Sequence, residues 1–182
     1  MRKANKGKVT LANAGLGAAS HLCGLLFQAA IETDLNTIAY KGTAPAMTDL
    51  LGGHVDVLCD QTTNTTAQIQ ADKVQVYAVT SKTRVASLPN VPTANEAGLP
   101  GFEVSIWHGL YAPKGTPKPV VDKLNEALQA ALKDATVKSK FADLGAEPAS
   151  AARATPAGLQ ALLKSELDRW TPLIRKAGVY AD

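Results

Sequence analysis

Apolar and polar positions alternate through the first eighty residues in a repeating order of short β-favouring run, polar or glycine turn, and helical period. "KVTLANA" (8–14) carries Val9, Thr10 and Leu11 and predicts a strand; "GLGAAS" (15–20) predicts a loop. Leu22, Leu25, Leu26, Ala29 and Ala30 then share one face of a helix. The order repeats: "TIAYKG" (37–42) as a strand, "TAPAMTDLLGG" (43–53) as a short helix opened by Thr43 and closed by Gly52–Gly53, and "VDVLCD" (55–60) as a strand. "TTAQIQADK" (65–73) follows as a helix and "VQVYAVT" (74–80) as a buried strand. Strands separated by helices of this length predict parallel β-α-β units, since parallel neighbours need a crossover that packs on the sheet.

After Thr80 the periodicity fades. "SKTRVASLPNVPTANEAGLPG" (81–101) holds three prolines and two glycines and predicts a loop or a crossing between lobes. "FEVSIWHGLYAP" (102–113) reads as a strand, with its later apolar residues suggesting burial on both faces. The clearest helix is in "TPKPVVDKLNEALQAALKD" (116–134), where Thr116 is the expected N-cap, Pro117 suits the first position, and Val120, Val121, Leu124, Leu128 and Leu132 recur at helical spacing. A second helix is expected over about 136–144, ending at Gly145, and a last one opens at Thr155–Pro156 and runs to Gly178. Three helices with one strand lack the sheet they need to cover, which predicts that a partner element is missing.

Composition narrows the class. With 182 residues, 46% hydrophobic and 19% charged, the chain is of globular type. A net charge of +3, scattered basic residues and 5% aromatics offer neither a phosphate-tracking stripe nor a base-stacking platform, so no nucleic-acid partner is expected. No apolar run is long enough to span a bilayer. The basic start "MRKANKGK" before an apolar stretch resembles a secretory signal only superficially: Asn13, Gly15, Gly17, Ser20 and His21 interrupt the required apolar core, and Leu22 precedes Cys23 where a small residue is wanted. No signal peptide is therefore read in this chain. Cys23 and Cys59 have no metal-ligand spacing, and each sits beside apolar residues, so both are expected to be buried free thiols.

The chemistry on offer is that of anion binding. Gly15 and Gly17 permit a tight turn that brings backbone N–H groups, from about Gly17 to Ser20, to a helix start. Leu16, Ala18 and Ala19 complete that loop, and Ser20 adds a hydroxyl. Neither the P-loop spacing nor a full G-x-G-x-x-G is present, so no nucleotide or other cofactor is expected. At the next two strand ends lie Tyr40, Lys41, Gly42, Thr43 and Ala44, then Asp60, Gln61 and Thr62. Singly, Lys41 is as well explained as a solvated cation, and Thr43 and Asp60 as helix caps. Together, at the carboxyl edge of one parallel sheet, the three loops predict a ligand cleft. His21, His54 and His108 lie on different elements, no hydrolase or zinc motif occurs, and Ser20 and His21 point about 100° apart on a helix, so no catalytic site is predicted. "NTT" at Asn64 matches a glycosylation sequon, which carries meaning only in a secreted protein.

These residues, in this order, resemble the substrate-binding proteins of tripartite tricarboxylate transporters, the Bug or TctC family. The similarity rests on "GKVTLANAGLGAASHL", "YKGTAPAMTDLLGGHVDVLCD", the run from "VYAVTSKTR" through "LPNVPTANEAG" to "VVDKLN", "LGAEPA", and the final "RW" helix. The resemblance implies a truncated type II periplasmic-binding-protein fold of the α/β class. One complete small α/β lobe would span 8–80, a crossing or hinge 81–101, and the C-terminal part of the other lobe 102–182. It implies capture of a small di- or tricarboxylate, or a related carboxylate, at the loop Gly15–Ser20 through backbone donors and water. Tyr40–Ala44 and Asp60–Thr62 match the family's other cleft loops, and membrane components of the transporter are the implied partners. "MRKANKGKVT" is similar to an interior run of the family, so the expectation is a chain without the first half-lobe, half a binding site, self-association through the uncovered helix faces, and a periplasmic parent. A cytoplasmic ligand-sensing domain of the same fold and a small α/β enzyme are the competing classes.

Overall fold

The computed structural model describes residues 7–176 and 178, so the basic run from Arg2 to Lys6 lies outside the described residues. Three parallel strands form one sheet in the order β2-β1-β3, with β1 at Thr10–Asn13, β2 at Asn36–Ala39 and β3 at Val57–Leu58. Helix α1 (Ala19–Ala30) follows β1, α2 (Thr43–Leu51) follows β2, and α3 (Thr62–Gln70) follows β3. Thr10 pairs with Asn36 and Asn13 with Ala39 on one flank; Leu11 pairs with Val57 and Ala12 with Leu58 on the other. At the amino edge, the Asp56 carboxylate accepts from the Thr10 amide at 2.8 Å and from its hydroxyl at 2.6 Å, while the Asp56 amide donates back to Thr10 Oγ1 at 2.9 Å.

Alternation along β1 assigns the faces. Leu11 lies under α1, so close to Gly24 that an added Cβ there would stand 2.9 Å from Leu11 Cδ2. Ala12 turns the other way into a cluster with Ala46 of α2 and Val55, flanked by Ile38, Leu50 and Leu58. The small residue in the central strand lets α2 come close.

Cys23 of α1 and Cys59 just after β3 are joined by a disulfide across a Cα separation of 6.1 Å, correcting the expectation of two free thiols. The apolar neighbours that suggested simple burial are present, with Ala94, Phe102 and Val104 packed around Cys23. Because the two cysteines stand 36 residues apart, their meeting depends on α1 crossing the end of β3, which local composition does not reveal.

The expected strands at 74–80 and 102–113 do not form ladders. Val79 makes an isolated parallel bridge to Thr93, donating to Pro92 O and accepting from Ala94 N, and Val104 N donates to Thr80 O at 2.9 Å. Beyond that, 105–112 is unpaired among the described residues, with Leu110 and Tyr111 exposed. A β-favouring sequence extends the backbone but does not supply a partner. Within 81–101, Glu96 accepts from Thr93 N at 2.7 Å and from Arg84 Nε at 3.0 Å, which holds its carboxyl below the ordinary value.

Helix α4 (Lys118–Lys133) starts one residue later than expected, with Pro117 at the N-cap; Thr116 Oγ1 donates instead to Pro113 O at 2.9 Å. Asp134 caps α5 (Ala135–Asp143) through Val137 N at 3.0 Å, and Thr155 Oγ1 accepts from Gly158 N at the head of α6 (Pro156–Lys176). Asn125 and Gln129 of α4 both donate to Ala154 O, tying α4 to the start of α6. No residue of α4 is buried, and Val120 and Leu124 are exposed, so its apolar stripe has no cover among the described residues. An open groove of about 2510 Å³ runs between the sheet lobe and these helices, lined among others by Tyr77, Leu110, Val121, Leu124 and Leu128.

Candidate ligand-binding site

Parallel strands deliver all three strand-to-helix loops to the carboxyl edge of the sheet, 14–18 from the central strand, 40–42 and 59–61 from its flanks. The helices that begin there are α1, α2 and α3, with Ala18, Gly42 and Gln61 at their N-caps and no capping side chain on any of them. Elsewhere, α5 and α6 take ordinary caps from Asp134 and Thr155, while α4 behind Pro117 also starts without a capping side chain. An uncapped helix start leaves backbone donors and the positive end of the helix dipole open to an anion.

The central loop is held from beneath by three buried side chains, Asn13, Ser20 and His21, at 2%, 3% and 7% exposure. Asn13 Oδ1 accepts from Gly15 N at 2.9 Å, Ser20 Oγ from Ala14 N at 2.9 Å, and His21 Nδ1 from Gly17 N at 3.2 Å. Ala18 N donates to Gly15 O at 3.1 Å. Four loop amides are thereby consumed, and the backbone donors here without an intramolecular acceptor among the described residues are Leu16 at the loop tip and the first helical turn, Ala19, Ser20 and His21. Of the donors expected from sequence, Gly17 and Ala18 are occupied within the loop, and Ala19 and Ser20 are without an intramolecular acceptor. Ser20 accepts through its oxygen, which leaves its hydroxyl proton available as a donor. His21 Nδ1 must be unprotonated to accept from Gly17, and burial pushes its pKa down, which favours that neutral form. Leu16 stands exposed at the loop tip.

Gly15 has φ +119°, and a Cβ there would lie 3.2 Å from Tyr40 O, so the first two loops meet through a position that only glycine fits. Tyr40 N donates to Asn13 O at 2.9 Å and Gly42 N to Ala14 O at 3.1 Å, joining them further. The Tyr40 side chain turns back: its hydroxyl donates to Asp49 Oδ2 at 2.7 Å, a bond that pushes its pKa up, and its ring packs with the Ala12–Ala46 cluster. What Tyr40 brings to the loop edge is its backbone. Lys41 and Ala44 are exposed, and Gly42 and Thr43 are half-buried. Thr43 is the first helical residue and does not cap α2.

Asp60, Gln61 and Thr62 lie on the other flank of β1 and line the groove. Asp60 Oδ1 accepts from Gln61 N at 2.8 Å and from Asn64 Nδ2 at 3.3 Å, without capping the helix. Thr62 Oγ1 donates to Gly145 O at 2.8 Å, which docks the α3 start against the loop after α5. Asn13 and His21 as supports of the loop escaped the sequence reading. The available signal was a polar residue closing an apolar strand, which must find a buried partner.

Among the described residues there is no cluster of His, Cys, Asp or Glu suited to a metal ion, and no helix long and apolar enough to cross a membrane.

A parallel α/β lobe with an open donor edge, continued by a crossing segment and a set of helices, has the architecture of the periplasmic binding proteins, and solved examples superimpose on nearly the whole chain. The periplasmic binding protein BugD matches at a TM-score of 0.90 with 56% identity, over 99% of this chain and 60% of that one. MatC of Rhodopseudomonas palustris with bound malate matches at 0.88 with 37% identity, over 94% and 58%. The model of the tripartite tricarboxylate transporter family receptor, TctC, matches residues 1–179, and the chain belongs to that family. A UPF0065 protein from the ttuE-ttuC' intergenic region of Agrobacterium vitis is 52% identical over 97% of this chain. The chain spans about half of that relative's length, 51%, and about three fifths of the two solved proteins. The family and these neighbours are solute-binding receptors, not enzymes.

Proposed function

We propose that this chain carries the carboxylate-holding loops of an extracytoplasmic solute-binding receptor that captures a small organic acid for a tripartite tricarboxylate transporter. The observation that carries this reading is the convergence of three uncapped helix starts on one sheet edge, the central one with four of its loop amides tied down and the first-turn amides of Ala19, Ser20 and His21 left without an intramolecular acceptor. Those amides and the Ser20 hydroxyl receive a carboxylate; Gly15–Ala18 shape the loop, and Tyr40–Ala44 and Asp60–Thr62 form its flanks. The malate bound by MatC supports an acid as ligand. The sheet lobe occupies 8–80, the crossing 81–101, and 102–182 belongs to a second lobe. The Cys23–Cys59 disulfide supports a parent protein that matures in an oxidising compartment, in keeping with the periplasm. Membrane subunits of the transporter are the partners, and the uncovered α4 stripe favours self-association of this chain.

Amide NMR of the ¹⁵N-labelled chain titrated with malate and other short dicarboxylates tests the reading. Saturable shifts centred on Ala19–His21 are expected. No shift there with any di- or tricarboxylate at millimolar concentration would overturn it.

A further inference from the structure

The three loops at the carboxyl edge are joined unequally. The loops after β1 and β2 share two backbone bonds, Tyr40 N to Asn13 O at 2.9 Å and Gly42 N to Ala14 O at 3.1 Å. Between the loops after β1 and β3 the pairing stops at Ala12 and Leu58, and among the described residues no hydrogen bond links 14–18 to 59–61. What joins them is one covalent bond, from Cys23, one turn into α1, to Cys59.

The loop after β3 has a second attachment, and it leads elsewhere. Thr62 Oγ1 donates to Gly145 O at 2.8 Å, and a Cβ at Gly145 would stand only 2.9 Å from Thr66 Oγ1, so the head of α3 is seated on the turn that ends α5. With the disulfide closed, that head is tied both to α1 and to the C-terminal helices. With it open, only the second tie remains beyond the chain itself.

The two sulfurs are unequally sheltered. Cys23 is buried at 3% exposure among Ala94, Phe102 and Val104, whereas Cys59 is half-buried on the wall of the open groove. A thiolate entering the groove meets Cys59 first. Its attack on Cys59 Sγ forms a mixed disulfide and expels Cys23 as a thiolate, which takes up a proton. The second thiol of a dithiol then displaces Cys59 in the same way, so the protein gains two electrons and two protons and the reductant leaves as its disulfide.

We infer that the Cys23–Cys59 disulfide is a redox switch on the ligand edge: closed, it holds the Asp60–Thr62 loop beside the start of α1; opened by a dithiol, it lets that loop loosen and weakens acid binding. The inference rests on the carboxylate site proposed above and adds a control to it. A loose loop must be ordered when the acid binds, a cost that the closed bridge has already removed. Linkage makes the effect reciprocal, so bound acid makes the bridge harder to reduce by the same factor.

The test compares the full chain oxidised and after reduction with dithiothreitol, confirmed by the appearance of two free thiols, with succinate as the probe. Succinate affinity is expected to fall at least about fivefold on reduction and to return on reoxidation. Backbone order parameters from ¹⁵N relaxation are expected to drop below about 0.6 at Asp60–Thr62, while Tyr40 and Gly42 stay near the rigid value of about 0.85. The Cys23→Ala/Cys59→Ala variant is expected to match the reduced chain and to ignore dithiothreitol. Equal succinate affinity in the two forms would overturn the switch and leave the carboxylate site standing, because the bridge then serves stability alone. Unchanged order at Asp60–Thr62 would overturn it too, as would a reduced chain that unfolds, since a switch needs two folded states. If the oxidised chain binds neither succinate nor malate, the carboxylate site falls and its control with it.

Discussion

Nδ1 of His21 accepts the amide proton of Gly17 at 3.2 Å, so the second glycine of the loop and the third residue of the helix after it are locked together. The bond works only while Nδ1 is unprotonated. Replacing His21 by Leu removes the acceptor and frees Gly17, whose amide can then turn to water. A loss of carboxylate affinity of about fivefold is expected, from about 1 kcal/mol for a neutral hydrogen bond. His21→Asn keeps a short acceptor and is expected to recover most of it. Calorimetry on the two variants checks this; equal loss in both would assign His21 a packing role only.

Acid should weaken the fold in two separate steps. The His21 pKa in the folded chain lies below 6.5 because burial disfavours the imidazolium, so its contribution is complete above 6.5 and is lost as pH falls through the folded value. Asp56 is held below 3.8 by hydrogen bonds from the Thr10 hydroxyl and amide, so its contribution is complete above 3.8 and is lost at still lower pH. Denaturation midpoints measured from pH 8 to pH 2 should fall in both windows. Thr10→Val should blunt only the lower one, and His21→Asn only the upper.

Removing the Cys23–Cys59 bridge should cost about 4 kcal/mol, the chain-entropy value for a closed loop of 36 residues. Urea unfolding of the Cys23→Ala/Cys59→Ala double variant against the oxidised parent measures it. A difference below about 1 kcal/mol would mean that packing around Cys23 already fixes α1 in place.

Gly15→Ala should lower stability by about 1–3 kcal/mol, since an L side chain at φ +119° is strained and its Cβ would press on Tyr40 O. Gly17→Ala makes the comparison: φ is +74°, but nothing lies within 4 Å of its Cβ, so the cost should be smaller. Thermal denaturation of the two variants orders them, and the reverse order would remove the contact between the first two loops as the reason for Gly15.

Much of this architecture can be read from local signals. The helices around Leu22–Ala30, Thr43–Leu51 and Val120–Leu132 announce themselves by spacing, and Thr155 and Gly145 mark boundaries that the structure keeps. The strand-to-helix loops were legible for the same reason, because glycine and polar residues interrupt apolar runs at regular intervals. The failures share a cause. Strand residues 74–80 and 102–113 have the right composition, yet a ladder depends on a neighbour that no local pattern specifies. Cys23 and Cys59 likewise meet only after α1 has crossed β3. Asn13 is a single polar residue at a strand end, and its importance lies in the Gly15 amide that it holds.

The disulfide has a mechanical consequence. One sulfur sits a single turn into α1 and the other immediately before Asp60, so the loops after β1 and β3 cannot drift apart without stretching a covalent staple. The carboxyl edge of the sheet is therefore covalently stiffened. The 81–101 segment has no such covalent tie and is held to the residues before it by the backbone bonds of Val79 with Pro92 and Ala94, so it is the part that reduction of the disulfide leaves unchanged.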